Sequence, residues 1–176
     1  MKKNEIPIRR SLMALFVFFL LSPGIFAQLN FSGNWSFNES KSKFGEGAGG
    51  PGGRPPMAAT AMSVTQDASV LTVNQTMNDR DGQEFQTVSK FNLDGSETEN
   101  AVMMDRIRKS VLTWSADKKS FTINSTMSFE RDGETREIKT SEKWSLSSDG
   151  KTLMIESTRP TRDGGTRTNT LAYDRK

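Results

Sequence analysis

Residues 120–130 alternate with a period of two. Phe121, Ile123, Met127 and Phe129 fall on one face, with Ser125 among them, and Thr122, Asn124, Thr126, Ser128 and Glu130 fall on the other. That pattern belongs to an extended strand with one dry and one wet face. Comparable runs flank it on both sides, each a short turn away. The chain therefore reads as a meander of antiparallel strands.

The first strand is expected at 31–37, where Phe31, Gly33, Trp35 and Phe37 alternate with Ser32, Asn34 and Ser36. Further strands are expected at 60–66, 69–78, 83–92, 97–103, 107–116, 120–130, 134–146, 151–159 and 165–174, about ten in all. Five Asp-Gly pairs punctuate them: Asp81-Gly82, Asp94-Gly95, Asp132-Gly133, Asp149-Gly150 and Asp163-Gly164. Such pairs supply the positive φ that tight hairpins require. No stretch after residue 27 carries a sustained helical period, although Ile107 and Val111 also suit a short helical turn. Residues 45–56 hold six Gly and three Pro in twelve positions, a composition that cannot build a core face and predicts a flexible loop. One internal echo is visible. Trp114-Ser115 and Trp144-Ser145 each precede an Asp-containing turn and an apolar-x-Ile pair, which suggests a repeated hairpin with the two Trp as equivalents.

Ahead of the strands, residues 1–27 have the make-up of a secretory signal peptide. Lys2, Lys3, Arg9 and Arg10 precede ten unbroken apolar residues at 12–21, followed by Pro23, Gly24 and Ala27. Ten apolar residues fall short of the roughly 20 needed to span a bilayer, so cleavage before Gln28 and a periplasmic or extracellular destination are expected. The division is thus a signal peptide at 1–27 and one domain at 28–176. The net charge of +3 arises in the leader, since the remaining residues balance 20 basic against 20 acidic side chains. The basic balance is therefore no argument for nucleic-acid binding. The chain contains no His and no Cys, which removes His-based acid–base catalysis, Cys nucleophiles, disulfides and the usual zinc sites. Residues 78–84 hold an Asp-x-Asp-Gly fragment, but the later oxygens of a calcium loop are missing, and a hairpin turn is expected there.

Gly33-Asn34-Trp35, opening the first strand of a secreted all-β chain, resembles the Gly-x-Trp signature of lipocalins and their calycin relatives. The Trp-Ser…Asp-Gly-Lys-Thr-Leu hairpin resembles a group of small secreted bacterial proteins with a lipocalin-like domain. The likeness implies an all-β, up-and-down barrel with Gly33 and Trp35 as its structural signature. It also implies a basic residue, Arg175 or Arg167, packed over the Trp. About ten strands lie closer to the fatty-acid-binding branch than to the eight-stranded one. That branch carries Arg-x-Tyr in its last strand, whereas this chain has Leu171-Ala172-Tyr173, a departure that bears on carboxylate binding.

Period-2 counting places Ile138, Thr140, Glu142, Trp144 and Leu146 on one inward face. Leu153, Ile155, Ser157 and Arg159 share a second, and Arg167, Asn169, Leu171 and Tyr173 a third. Each is apolar at one end and polar at the other, which predicts a dry floor and a polar upper cavity. Glu142, Arg159, Arg167 and Tyr173 are the candidate ligand-binding residues, with Glu142 expected to hold an arginine when no ligand is bound. The expected function is a non-catalytic, monomeric binding protein for a small apolar or amphipathic ligand, with no cofactor, metal, nucleic-acid partner or membrane anchor after cleavage. The alternative is a barrel with a filled core that acts through its surface. An outer-membrane barrel is disfavoured by the polar interruptions Ser125, Thr140, Glu142 and Ser157 and by the single Tyr.

Overall fold

The computed structural model describes residues 27–45, 58–79, 81–102, 106–131, 133–161 and 164–176. The expected leader up to residue 26, and the Gly/Pro-rich loop from residue 46 onward, lie outside the described residues. Ten strands follow one another: β1 (Gly33–Phe37), β2 (Ala61–Gln66), β3 (Val70–Asn78), β4 (Glu84–Asn92), β5 (Thr98–Val102), β6 (Arg106–Trp114), β7 (Ser120–Arg131), β8 (Glu134–Leu146), β9 (Thr152–Pro160) and β10 (Thr166–Arg175). A short 3-10 helix, Glu39–Lys41, follows β1, and the Asn38 side chain caps it. The alternation of apolar and polar residues thus sets each strand to within about two residues of its expected limits.

All ten strands belong to one antiparallel sheet in the order β4-β3-β2-β1-β10-β9-β8-β7-β6-β5. The first strand therefore pairs with the second on one side and with the last on the other. Trp35 lies opposite Met62 of β2 and Arg175 of β10. The barrel has one seam, between β4 and β5, where no backbone ladder forms. Side chains span it instead. The Asn100 amide accepts a bond from Lys90 N at 2.7 Å and donates to Lys90 O at 3.0 Å. It satisfies the backbone of β4 much as a neighbouring strand would. Arg108 of β6 reaches further, donating from Nη2 to Ser89 Oγ at 2.8 Å.

The core fills the lower end of the barrel. Phe31, Trp35, Leu71, Leu112, Phe121, Trp144 and Leu153 are all essentially inaccessible. Phe121 stacks on Trp144 at 5.5 Å and meets Phe31 edge-on at 4.7 Å. The segment before β1 plugs this end: Leu29 N donates to Lys118 O, and the Gln66 side chain bonds both Phe31 N and Leu29 O. Trp35 donates its indole N–H to Phe31 O at 3.2 Å, and the Arg175 guanidinium lies 4.3 Å above its ring. Arg175, rather than Arg167, is the basic residue over the signature Trp. A Cβ on Gly33 would sit 2.5 Å from Arg175 Nη1, so a residue without a side chain leaves the guanidinium its place.

The turns carry out the Asp-Gly expectation. Gly82, Gly95, Gly133, Gly150 and Gly164 all have positive φ. In the β3–β4 turn, Asp79 Oδ1 accepts bonds from Asp81 N and Gln83 N, so the Asp-x-Asp-Gly fragment is a hairpin turn whose first carboxylate is spent on its own backbone. The internal echo is real but shifted from the Trp-Ser pairing. The β6–β7 and β8–β9 turns share three side-chain bonds: Ser115 Oγ to Asp117 and Ser147 Oγ to Asp149, Lys119 N and Lys151 N to those carboxylates, and Ser120 N and Thr152 N to the serine hydroxyls. Ser115 thus corresponds to Ser147, and Trp114 to Leu146. Trp144 lies two residues earlier, on the core. Lys118, at φ 57, stands where the second copy has Gly150 at φ 68.

The outward faces are polar. Among the described residues the large exposed hydrophobic side chains are Val88 and Ile107, which do not form the continuous apolar belt of a membrane barrel. No helix of the described residues is long and apolar enough to cross a membrane.

Candidate functional site

Register sorts the inward side chains of β6 to β10 into rungs. The lowest that runs across all five strands is dry: Trp114, Phe121, Trp144, Ile155 and Leu171 are successive cross-strand partners. The next runs Leu112, Ile123, Glu142, Ser157 and Asn169. Above it stand Ser110, Ser125 and Thr140, with Arg159 opposite Arg167 on the last two strands. Ser110 and Ser125 satisfy one another through a buried bond of 2.9 Å. Higher still, Arg108 faces Met127, and Met127 faces Ile138. Polarity therefore rises from floor to mouth, as the strand faces predict.

Above the dry rung the barrel is hollow. One cavity of about 570 Å³ is lined by Arg106, Arg108, Met127, Ile138, Glu142 and Arg159 among other residues. A second, of about 240 Å³, shares Arg108, Glu142, Ser157 and Arg159 with the first and continues to Met77, Phe85, Ile155, Leu171 and Tyr173. Together they make a passage from a basic mouth to an apolar interior. Cavities of a few hundred Å³ lined in this mixed way suit a small amphipathic molecule.

The candidate residues divide as follows. Glu142 and Arg159 line both cavities, and Tyr173 lines the inner one. Arg167 shares a rung with Arg159, but its side chain lies beside Gly45, close enough that a Cβ there would meet Arg167 Cγ at 3.1 Å. Glu142 does not hold an arginine. Its Oε2 accepts the Trp144 indole N–H at 3.3 Å, and among the described residues no carboxylate lies within 4.0 Å of Arg106, Arg108, Arg159 or Arg167. Burial pushes the Tyr173 phenol well above its ordinary pKa, and the Glu142 carboxylate adds to the rise, while a backbone hydrogen bond from Ala59 opposes it. Tyr173 therefore stays protonated.

Arg106 and Arg108 also line the outer cavity and are absent from the candidate set. Arg106 lies over the Phe129 ring at 5.2 Å. Arg108 is held by Ser89, yet its Nε is buried with no hydrogen-bond partner among the described residues, and the same is true of Arg167 Nε. A buried guanidinium N–H without an acceptor is costly, so both mark places where an acceptor is wanted. The signal for Arg106 and Arg108 was their spacing of two. It was obscured by Ile107, which sits between them and points outward, nearly half exposed. Within the described residues no cluster of three carboxylates is placed to hold a metal ion.

The sequence matches no family model and no curated protein at a significant level. In three dimensions the chain is similar to a solved structure of zebrafish ileal bile acid-binding protein complexed with cholic acid. The TM-score is 0.51 at 15% sequence identity, over 83% of this chain and 98% of that one. The likeness is one of fold: the protein is an all-β, ten-stranded antiparallel meander in a nearly closed barrel of the calycin type.

Proposed function

We propose that the protein is a non-catalytic carrier of an amphipathic anion, acting outside the cytoplasm. The observation that carries this reading is the composition of the cavity wall. Arg106, Arg108 and Arg159 line the outer cavity, and Glu142 is the sole carboxylate among its described lining residues. The inner cavity ends on Met77, Phe85, Ile155 and Leu171. An apolar tail would lie in the inner part, its head group among the guanidiniums, which match carboxylate or phosphate oxygens through paired N–H groups. The cholic acid bound by the zebrafish protein is in keeping with a barrel that takes an amphiphile. The open volume above the Trp114–Leu171 rung favours this reading over a filled barrel acting through its surface. The leader composition at 1–27 supports export, and Leu29, one residue beyond the expected new terminus, is the first of the described residues bonded to the barrel.

The test is titration of purified protein with anionic amphiphiles of graded chain length, followed by Trp emission. Trp144 donates to Glu142 at the cavity floor and should report occupancy. Arg159→Gln and Arg108→Gln are each expected to weaken binding about tenfold, the scale of one charge-assisted hydrogen bond. Wild-type affinities in both variants would refute the site. Intact mass of protein recovered from a secreting Gram-negative host should begin at Gln28. Retention of the leader would refute export.

A further inference from the structure

Resting on the anion-carrier reading above, we propose that the head group held at the mouth is a phosphoryl dianion, as in an alkyl or acyl phosphomonoester, and not a carboxylate. Two independent features lead there.

The first is charge. Arg106, Arg108 and Arg159 face one cavity, Glu142 is the only carboxylate among the described residues that line it, and that carboxylate already accepts the Trp144 indole N–H. The lining side chains thus carry a surplus of two positive charges. A monocarboxylate leaves half of that surplus unmatched, whereas a dianion balances it. Among the described residues no carboxylate pairs with these arginines.

The second is direction. Arg108 stands on β6 and Arg159 on β9, with β7 and β8 between them in the curved sheet. Both line the same cavity from strands that are not neighbours. Ser89 fixes Arg108 through Nη2, which leaves its buried Nε as an unused donor. A carboxylate offers two oxygens in one plane and is satisfied by one guanidinium fork. A phosphoryl group offers three terminal oxygens in a tetrahedral array, and it accepts from two guanidiniums lying in different planes. Two arginines on separated strands fit the second acceptor.

The experiment compares decyl phosphate, decanoate and inorganic phosphate by isothermal titration calorimetry at pH 7.5 and pH 5, on wild type, Arg108→Gln, Arg159→Gln and Lys143→Gln, an outward control on β8. At pH 7.5 decyl phosphate should bind at least about tenfold more tightly than decanoate, the worth of one further charge-assisted hydrogen bond. The second ionisation of a phosphomonoester lies near pH 6, so this advantage should shrink at pH 5. Either Arg variant should abolish it, and Lys143→Gln should keep it. Decanoate binding as tightly as decyl phosphate would overturn the head-group assignment and leave the carrier reading standing. Inorganic phosphate matching decyl phosphate would overturn it in favour of a free-anion site. Binding of none of the three would overturn both.

Discussion

Replacing Lys118 by Gly should stabilise the protein. Lys118 adopts φ 57 in the β6–β7 turn, a left-handed conformation that costs an L-residue about 1–2 kcal/mol. Glycine escapes that cost but gives up about 0.5–1 kcal/mol of unfolded-chain entropy on folding. The net gain is about 0.5–1 kcal/mol. Nothing else in the turn depends on the side chain: the bonds from Ser115, Asp117, Lys119 and Ser120 are made by other residues, and Lys118 itself contributes only backbone groups to Ser115 and Leu29. The β8–β9 turn supplies an internal control, because it shares those three side-chain bonds and already carries Gly150. A Cβ built there meets nothing within 4 Å, so Gly150→Ala tests the backbone alone and should cost about as much as Lys118→Gly gains. Urea unfolding should show the two midpoints moving in opposite directions at unchanged m-value. A neutral Gly150→Ala would refute the conformational argument. A destabilising Lys118→Gly beside a costly Gly150→Ala would show that the Lys118 side chain packs usefully against the barrel floor.

Arg175→Ala should lose about 1–2 kcal/mol, from the cation–π contact with Trp35 and the bonds to Ser32 O and Gly150 O. Gly33→Ala should be costly in wild type and cost less, though still something, in the Arg175→Ala background, since its Cβ clashes with that guanidinium while its φ of 155° strains any side chain; full additivity by urea unfolding would contradict this. Bonds from Lys41, Asn38 and Thr152 hold the Asp174 carboxyl down at about 2. Its contribution to stability is therefore complete above pH ~4 and is lost as pH falls from there towards 2. Asp174→Asn should flatten this part of the stability–pH curve, and an unchanged slope would count against the cluster. Asn100→Ala should speed hydrogen exchange at the Lys90 amide, whose acceptor is the Asn100 side chain, while amides of β7 and β8 stay protected. Equal protection at Lys90 would mean that the seam does not rely on Asn100.

The strands were legible because each buries one face only, so that residues such as Phe121 and Ile123 stand out against Thr122 and Asn124. The glycine turns were legible for a local reason as well, since positive φ selects the residue. The left-handed Lys118 was not, because lysine carries no such signal; only alignment on Ser115 and Ser147, rather than on the more conspicuous Trp residues, reveals it. Among the candidate residues, Glu142, Arg159 and Tyr173 line the cavities, and all three come from counting along strands whose floor is apolar. Arg106 and Arg108 escaped the same count because β6 inverts the rule near the mouth, turning Ile107 to solvent and arginines inward. Such an inversion is stable only where the interior is wet or bound. The seam was not legible at all, since a missing ladder between β4 and β5 is a property of the closed barrel and not of either strand.

The pairing of β1 with β10 also has a consequence in time. Every other ladder joins strands that are neighbours in the chain, and all but the β1–β2 pair can form as a hairpin within a few residues. The contact of Trp35 with Arg175 must instead wait for the tenth strand, and it carries the loop-closure cost of nearly the whole domain. Until then the nascent chain is a growing open sheet with β1 as a bare edge, prone to pair with other chains. A chain delivered from one end therefore completes its barrel last of all, and a length shortened by β10 alone should aggregate through the β1 edge instead of folding to nine-tenths of a barrel.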